Sequence, residues 1–212
     1  MEPVWTAIVA SALSWFKVMG YDVRVTGEEN IPATGGAVLA TNHIGYMDFV
    51  FSGYAAHLRK RKTRFLAKRE IWDNKAAAFV MKHAKHIPVD RSNDPAQAFA
   101  AGVDALKRGE LIGMFPESTI STTFVPKPAK TGAVRMAQMA GVPLIPGAIW
   151  GSHRILTKGQ PRNVTERKIP IVVNIGTPLD LAPDDDPHVA TKALMERITE
   201  LLTEAQSAYP DS

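Results

Sequence analysis

Short apolar runs with a strand period alternate along the chain with longer amphipathic runs that have a helical period. The strand-like runs are DVRVTG at 22–27, GAVLATN at 36–42, TRFLAK at 63–68, HIPVD at 86–90, ELIGMFPES at 110–118, VPLIPGAIWG at 142–151 and IPIVVNIG at 169–176. The helix-like runs lie at 47–60, 74–84, 95–109, 130–141 and 188–208. This alternation predicts a single α/β domain whose mostly parallel or mixed sheet is flanked by helices. The prolines at 142–151 predict an edge or bulged strand.

Residues 3–19 form a further apolar run with a helical period. One broad arc of the helical wheel carries Trp5, Ile8, Val9, Ala12, Leu13, Trp15, Phe16 and Met19. The run is shorter than the roughly 20 residues that cross a bilayer, and no basic residue precedes it as in a signal peptide. We predict an N-terminal amphipathic helix. It either packs on the protein's own core or lies in a membrane interface, which favours tryptophan rings.

The distribution of charge says more than the formal net charge of +4. Seven basic residues lie close together: Arg59, Lys60, Arg61, Lys62, Arg64, Lys68 and Arg69. They form either a solvated helix end and loop or a patch that contacts anionic phospholipid headgroups. Nucleic acid is not the expected partner, because no aromatic stacking pattern accompanies the charge. The absence of cysteine excludes disulfides and thiolate metal sites, and the scattered histidines predict no metal site.

The segment TNHIGYMDFV places His43 after a predicted strand and Asp48 in the first turn of the next helix. A carboxylate at that position can reach back to the imidazole, fix its tautomer and leave the other ring nitrogen free as a base. No serine stands in a Gly-x-Ser-x-Gly turn and there is no cysteine, so the attacking hydroxyl would belong to the substrate. The alternative is a histidine that is simply hydrogen-bonded in the structure.

Two other predicted strands end on charged residues. HIPVDRS ends on Asp90 and Arg91, where a guanidinium could bind phosphate through two parallel hydrogen bonds or form a surface ion pair. FPESTIS follows an apolar strand and places Glu117 at its end, so the carboxylate should be paired or face a cleft. Because ligands bind beyond the carboxyl ends of strands in α/β sheets, we expect His43, Arg91 and Glu117 to line one crevice.

NHIGYMD, HIPVDRS, FPESTIS and VPLIPGAI, in this order, resemble the four sequence blocks of the glycerolipid acyltransferases. The best-known members of that family are the 1-acylglycerol-3-phosphate acyltransferases, and the resemblance extends over roughly residues 26–176. It implies that His43 is the general base that deprotonates the acceptor hydroxyl for attack on an acyl thioester. It also implies that Asp48 orients His43 and that Arg91 binds the phosphate of the acceptor.

The resemblance assigns further substrate-binding positions. Acceptor-contacting positions would be Glu117, Ser118 and Thr119; Lys130 and Gly132 would start the helix that faces the ligand; and Pro143 and Pro146 would lie on the acyl-donor side. The third block departs from the usual FPEGTRS, because Ser118 replaces the glycine and Ile120 replaces the arginine. Isoleucine cannot supply the donors of a guanidinium, so Lys127, Lys130 or Arg135 would have to compensate, or the acceptor differs.

The resemblance implies an acyltransferase domain at 21–212 behind a membrane-associating helix at 1–20. The expected reaction moves a fatty acyl group from acyl-CoA or acyl-carrier protein to a lysophospholipid, first of all 1-acyl-sn-glycerol-3-phosphate, in phospholipid biosynthesis. No cofactor is expected. We expect peripheral contact with the cytoplasmic side of the membrane. The alternatives are another lipid acceptor, a hydrolase or thioesterase that uses water, and a non-catalytic lipid-binding protein of the same fold.

Overall fold

The computed structural model describes residues 3–90 and 95–208. The helices are α1 Pro3–Met19, α2 Asp48–Leu58, α3 Lys75–His83, α4 Pro95–Lys107, α5 Gly132–Ala140 and α6 Pro187–Ala208. The strands are β1 Asp22–Thr26, β2 Ala37–Thr41, β3 Thr63–Lys68, β4 Ile87–Val89, β5 Leu111–Met114, β6 Leu144–Trp150 and β7 Pro170–Ile175. The predicted α/β fold with an N-terminal helix is confirmed.

The strands form one mixed sheet in the order β1-β7-β6-β2-β5-β3-β4. All neighbouring strands are parallel except β6 and β7, which pair antiparallel. Strand β2 lies inside the sheet between β6 and β5, and every one of its residues is buried. Because side chains alternate along a strand, Leu39 enters the core that α1 and α2 cover. Val38 and Ala40 enter the core beneath α4, α5 and α6.

The prediction that residues 142–151 form an edge or bulged strand is wrong. Strand β6 lies between β7 and β2, and all of its residues are buried. The antiparallel register with β7 starts only at Gly147, so the nitrogen of Pro146 precedes that ladder. The carbonyl of Pro146 still accepts a hydrogen bond from the N–H of Gly176 at 2.9 Å. An interior strand therefore accommodates this proline because its missing donor falls at the end of one pairing.

The C-terminal part of α1 packs on the protein's own core. Phe16 is buried and stacks on Phe51 at a centroid distance of 5.3 Å, and Trp15 meets the edge of Tyr21 at 5.1 Å. Val18, on another side of the helix, is 62% exposed. One of the two alternatives for this helix therefore holds for its last turns. Among the described residues, no helix combines the length and the apolar character needed to cross a membrane.

The basic run at 59–69 is not one patch. The guanidinium of Arg61 is buried and donates to the carbonyls of Pro32, Gly35 and Gly109 at 2.6, 2.6 and 3.1 Å. Residues 59–62 precede β3 and therefore lie at the amino edge of its sheet neighbours, whereas Lys68 and Arg69 lie at the carboxyl edge. A second member, Arg64, pairs with Glu110 at 2.8 Å. Of the two alternatives for this run, a single lipid-facing patch of all seven residues does not hold, because the folded protein uses Arg61 and Arg64 internally.

Replacing Arg61 by methionine should lower the free energy of unfolding by about 3 kcal/mol, because the three main-chain carbonyls that its buried guanidinium joins lose a charged donor. Urea unfolding followed by circular dichroism measures this change. The matched control is Lys60→Met, since Lys60 is exposed and methionine is no worse than lysine at its left-handed backbone. Equal stabilities for the two variants would contradict the role given to Arg61.

Candidate active site

The carboxyl ends of β2 and β5 meet at one edge of the sheet, because these strands pair in parallel with Ala40 opposite Met114. The chain leaves β2 through His43 and leaves β5 through Glu117. The backbone N–H of His43 donates to Glu117 Oε1 at 2.9 Å. The structure therefore brings together two of the residues that the sequence predicted at one crevice. Arg91, the third, lies outside the described residues.

His43 and Asp48 form a hydrogen-bonded pair. The Nδ1 atom of His43 lies 2.9 Å from Asp48 Oδ2. The same oxygen accepts the backbone N–H groups of Ile44 and Gly45 at 2.8 and 2.9 Å. Asp48 is fully buried as the first residue of α2, where the helix dipole favours a negative charge. A carboxylate at Nδ1 holds the proton there and leaves Nε2 as the nitrogen that can accept one.

The imidazole of His43 is covered on one face and partly open. It stacks on the ring of Phe115 with centroids 4.1 Å apart and an angle of 14° between the planes. The side chain keeps 19% of its surface exposed. An imidazole held by a buried carboxylate at Nδ1 and by an aromatic ring on one face, yet partly exposed, has the geometry of a general base.

Glu117 joins the two loops that flank His43. Its Oε1 accepts from the backbone of His43, and its Oε2 accepts the N–H of Lys127 at 2.8 Å. Burial raises the pKa of Glu117, while these two main-chain donors oppose the rise. Both oxygens are thus engaged by backbone, so the carboxylate holds the loops in place. The acceptor-contacting role that the resemblance implies for Glu117 stays a prediction.

Other residues of the third block fall into two groups. Ser118 has a left-handed backbone with φ 59°, a conformation that suits the family's usual glycine, and Thr119 is exposed. Ile120 is 6% exposed, and its carbonyl lies 3.4 Å from Lys127 Nζ. Its side chain is thus part of the core, whereas Lys127 brings a cation to the same loop. Only the main-chain carbonyl of Ile120 is available to that cation.

The remaining predicted positions lie at different parts of the sheet. Lys130 is exposed just before α5, and Gly132 is the first residue of that helix. Pro143 is exposed and precedes β6, which runs parallel to β2. It therefore lies at the edge opposite His43, and the structure does not bring it to the crevice. Pro146 is buried within the same strand.

An apolar groove with a volume of about 100 Å³ runs between α1 and α2 toward β3. Its lining comprises Trp5, Ile8, Val9, Ala12, Leu13, Phe49, Val50, Gly53, Tyr54, His57, Thr63, Phe65 and His86. The ring of Phe65 stacks on Phe115 at 5.9 Å, and Phe115 in turn contacts His43. Gly113 makes room for Phe65, because a Cβ there would lie 2.3 Å from the ring. Aromatic rings therefore connect the groove to the histidine.

The comparisons with known proteins identify the family. The sequence model of the family described as Acyltransferase matches residues 22–150. The chain belongs to this acyltransferase family. The match includes the segments that carry the His43–Asp48 pair and Glu117. A cluster of three side chains able to hold a metal ion is not found within residues 3–90 and 95–208.

Individual relatives agree with the family assignment. The chain is 31% identical over 198 residues to the 1-acyl-sn-glycerol-3-phosphate acyltransferase of Bacillus subtilis, covering 92% of each protein. It is 28% identical over 177 residues to the enzyme of that name from Limnanthes douglasii and spans 59% of its length. The crystal structure of the 1-acyl-sn-glycerophosphate acyltransferase from Thermotoga maritima matches with a TM-score of 0.79 and 23% identity. That match covers 97% of this chain and 81% of the other, and it supports the fold.

Ser152 was not among the residues predicted from the sequence, yet its hydroxyl contacts Asp48, which lies 104 residues earlier in the chain. In the sheet, β2 has β5 on one side and β6 on the other. Ser152 follows β6. Its place just beyond a strand end is the one signal that could have marked it. That signal required the order of the strands, which the hydrophobic pattern does not give.

His86 in the groove should make the protein less stable as the pH falls. Burial and the charge of Arg64 lower its pKa from 6.5 to about 4. Below pH 6.5 the unfolded chain binds a proton that the folded chain does not. Stability should therefore fall between pH 6.5 and about 4, by on the order of 3 kcal/mol.

The test is the free energy of unfolding of the wild type and of His86→Gln between pH 4 and pH 7. Glutamine can still accept the N–H of Phe65, which His86 Nδ1 accepts at 3.0 Å. The variant should lose less stability than the wild type on acidification. His83→Gln, at an exposed histidine of α3, serves as the control and should follow the wild type. Parallel curves for all three proteins would refute the expected role of His86.

Proposed function

We propose that this chain transfers a fatty acyl group from an acyl thioester to the free hydroxyl of 1-acyl-sn-glycerol-3-phosphate. The observation that carries the proposal is the His43–Asp48 pair, whose imidazole is partly exposed and is linked by the rings of Phe115 and Phe65 to an apolar groove. Family membership supports the acyl transfer. The names of the Bacillus and Limnanthes relatives support the acceptor.

In the proposed reaction, Nε2 of His43 removes the proton of the acceptor hydroxyl as its oxygen attacks the thioester carbonyl. A tetrahedral intermediate forms, its C–S bond breaks, and the thiolate takes the proton back from the imidazolium. The products are the diacyl lipid and the free thiol, so no acyl-enzyme is required. Asp48 stabilises the transient positive charge of His43 through the hydrogen bond at 2.9 Å.

The apolar groove is proposed to hold a fatty acyl chain. It is lined almost wholly by apolar and aromatic side chains, and its wall residue Phe65 stacks on Phe115, which stacks on the imidazole. A chain lying there would end at the reacting carbonyl beside His43. Both acyl-CoA and acyl-carrier protein present such a chain on a thioester, so the groove suits either donor.

The acceptor's phosphate is proposed to bind cations around the third block, since Ile120 leaves no guanidinium there. Lys127 contacts the Ile120 loop, and Lys130 is exposed at the start of α5, where the helix N-terminus also favours an anion. Arg91 is the proposed third cation. We propose Ser118 and Thr119 as contacts for the glycerol part of the acceptor.

Replacing His43 by alanine should lower kcat for acyl transfer about 10²- to 10⁴-fold, because the hydroxyl loses its base. The assay compares 1-acyl-sn-glycerol-3-phosphate, a lysophospholipid with a different headgroup and a monoacylglycerol without phosphate. Each acceptor is tested with acyl-CoA and with acyl-carrier protein, and released fatty acid is measured alongside. Asp48→Asn should show a smaller loss, while His83→Ala, at an exposed histidine, should resemble the wild type.

A folded His43→Ala variant with wild-type turnover would contradict the proposed base. Equal rates with the acceptor that lacks phosphate would contradict the proposed acceptor. Release of free fatty acid in place of lipid product would identify a hydrolase.

Peripheral contact with an anionic membrane is also part of the proposal, and the exposed face of α3 supports it. Phe79 is 56% exposed at the centre of the outer face of this helix, with Val80 at its side and Lys75 and Lys82 exposed beside it. Helix α3 contacts α1, whose Leu13 is 39% exposed. Apolar side chains that point outward among lysines suit a lipid interface with anionic headgroups.

The double substitution Phe79→Ser with Val80→Ser should reduce sedimentation with phosphatidylglycerol vesicles about tenfold, because it removes the apolar contact area. Sedimentation with phosphatidylcholine vesicles should be weak for every variant, since the lysines then lack anionic partners. Met139→Ser on α5 is the matched control, with a similar exposure of 58%. Wild-type sedimentation of the double variant would exclude this face of α3 from the membrane contact.

A further inference from the structure

The carboxylate of Asp48 has a fourth donor besides His43, Ile44 and Gly45, and this donor comes from a distant part of the chain. The hydroxyl of Ser152 donates to Asp48 Oδ1 at 2.5 Å, whereas the other three groups donate to Oδ2. Both side chains are fully buried. The two oxygens of the carboxylate thus accept hydrogen bonds from different parts of the chain: Oδ2 from the loop and the imidazole, and Oδ1 from Ser152.

A tight turn places Ser152 beneath the loop at 43–48. Gly151 has φ 97°, and a Cβ there would lie 2.2 Å from the carbonyl oxygen of Pro170, so the turn requires glycine. Ser152 then begins a short 3-10 helix, Ser152–Arg154. A Cβ on Gly45 would lie only 3.1 Å from atoms of Ser152, so the loop and the serine are in close contact.

The hydroxyl of Ser152 restricts the torsion that orients the carboxylate. The terminal torsion of an aspartate side chain is broad and nearly two-fold, so either oxygen can face a given donor. A buried hydrogen bond to Oδ1 removes that freedom and keeps Oδ2 directed at Nδ1 of His43. The direction of Nε2, on the far side of the ring, therefore depends on the hydrogen bond from Ser152, which follows β6, to Asp48.

We propose that Ser152 is a positioning residue of the active site, which acts on His43 through Asp48. It is not a nucleophile, because its oxygen is buried and its hydrogen is directed at the carboxylate. The arrangement differs from a serine–histidine–aspartate triad, in which the serine contacts the imidazole. This inference rests on the proposed function, in which His43 is the base.

The test compares Ser152→Ala with Thr157→Val. Thr157 is also buried, and its hydroxyl donates to the carbonyl of Ile44 at 2.6 Å, so both variants remove one buried hydroxyl from the same loop. Of these two side chains, only that of Ser152 contacts the carboxylate of Asp48. Ser152→Ala should lower kcat for acyl transfer about 10- to 100-fold with KM nearly unchanged, because a misdirected base slows the reaction without weakening binding. Thr157→Val should keep kcat within about threefold of the wild type.

A second readout does not depend on turnover. In protein with ¹⁵N-labelled histidine, the Nδ1 proton of His43, assigned with His43→Ala, should shift in Ser152→Ala and stay in place in Thr157→Val. Wild-type kcat and an unmoved proton in folded Ser152→Ala would overturn the inference. Equal losses of kcat in both variants would also overturn it, since they would indicate a merely structural role. Failure of the proposed function would appear separately, as an active His43→Ala variant.

Discussion

The structure of the site depends on one buried carboxylate. Asp48 accepts hydrogen bonds from the imidazole of His43, from two main-chain amides of the same turn and from the hydroxyl of Ser152. An ionised carboxylate without water is costly unless its lone pairs are occupied, and these four donors provide that compensation. The same contacts fix the turn between β2 and α2, so the stability of the turn and the orientation of the histidine have one cause.

Two packing arrangements, the pairing of β2 with β5 and the packing of α1 against α2, build the surroundings of this carboxylate. The parallel pairing of β2 with β5 sets Glu117 against the backbone of His43 and Phe115 against its ring. The packing of α1 against α2 leaves an apolar groove whose end reaches Phe65. The catalytic proposal thus joins a polar centre held by the sheet to an apolar channel held by the helices. Each part needs the other, because an acyl thioester has both a reactive carbonyl and a long apolar chain.

Features that depend on local pattern could be predicted from the sequence. The strand and helix periods gave the α/β fold, and a strand end followed by a helix start gave the contact between His43 and Asp48. Features that depend on long-range packing could not be predicted. The interior position of β6 could not be read from its prolines, because it depends on where β7 starts to pair. The burial of Arg61 depends on three carbonyls from distant turns, and the contact of Ser152 depends on the strand order.

The most direct test of the account is a rapid-quench measurement of thiol release from acyl-CoA, with and without 1-acyl-sn-glycerol-3-phosphate. Direct transfer to a substrate hydroxyl predicts no burst of thiol in the absence of acceptor. With acceptor present, thiol and diacyl lipid should form at the same rate, and the intact protein should keep its mass. A burst of one thiol per protein without acceptor, with one acyl group added to the protein's mass, would contradict a mechanism in which His43 acts only as a base.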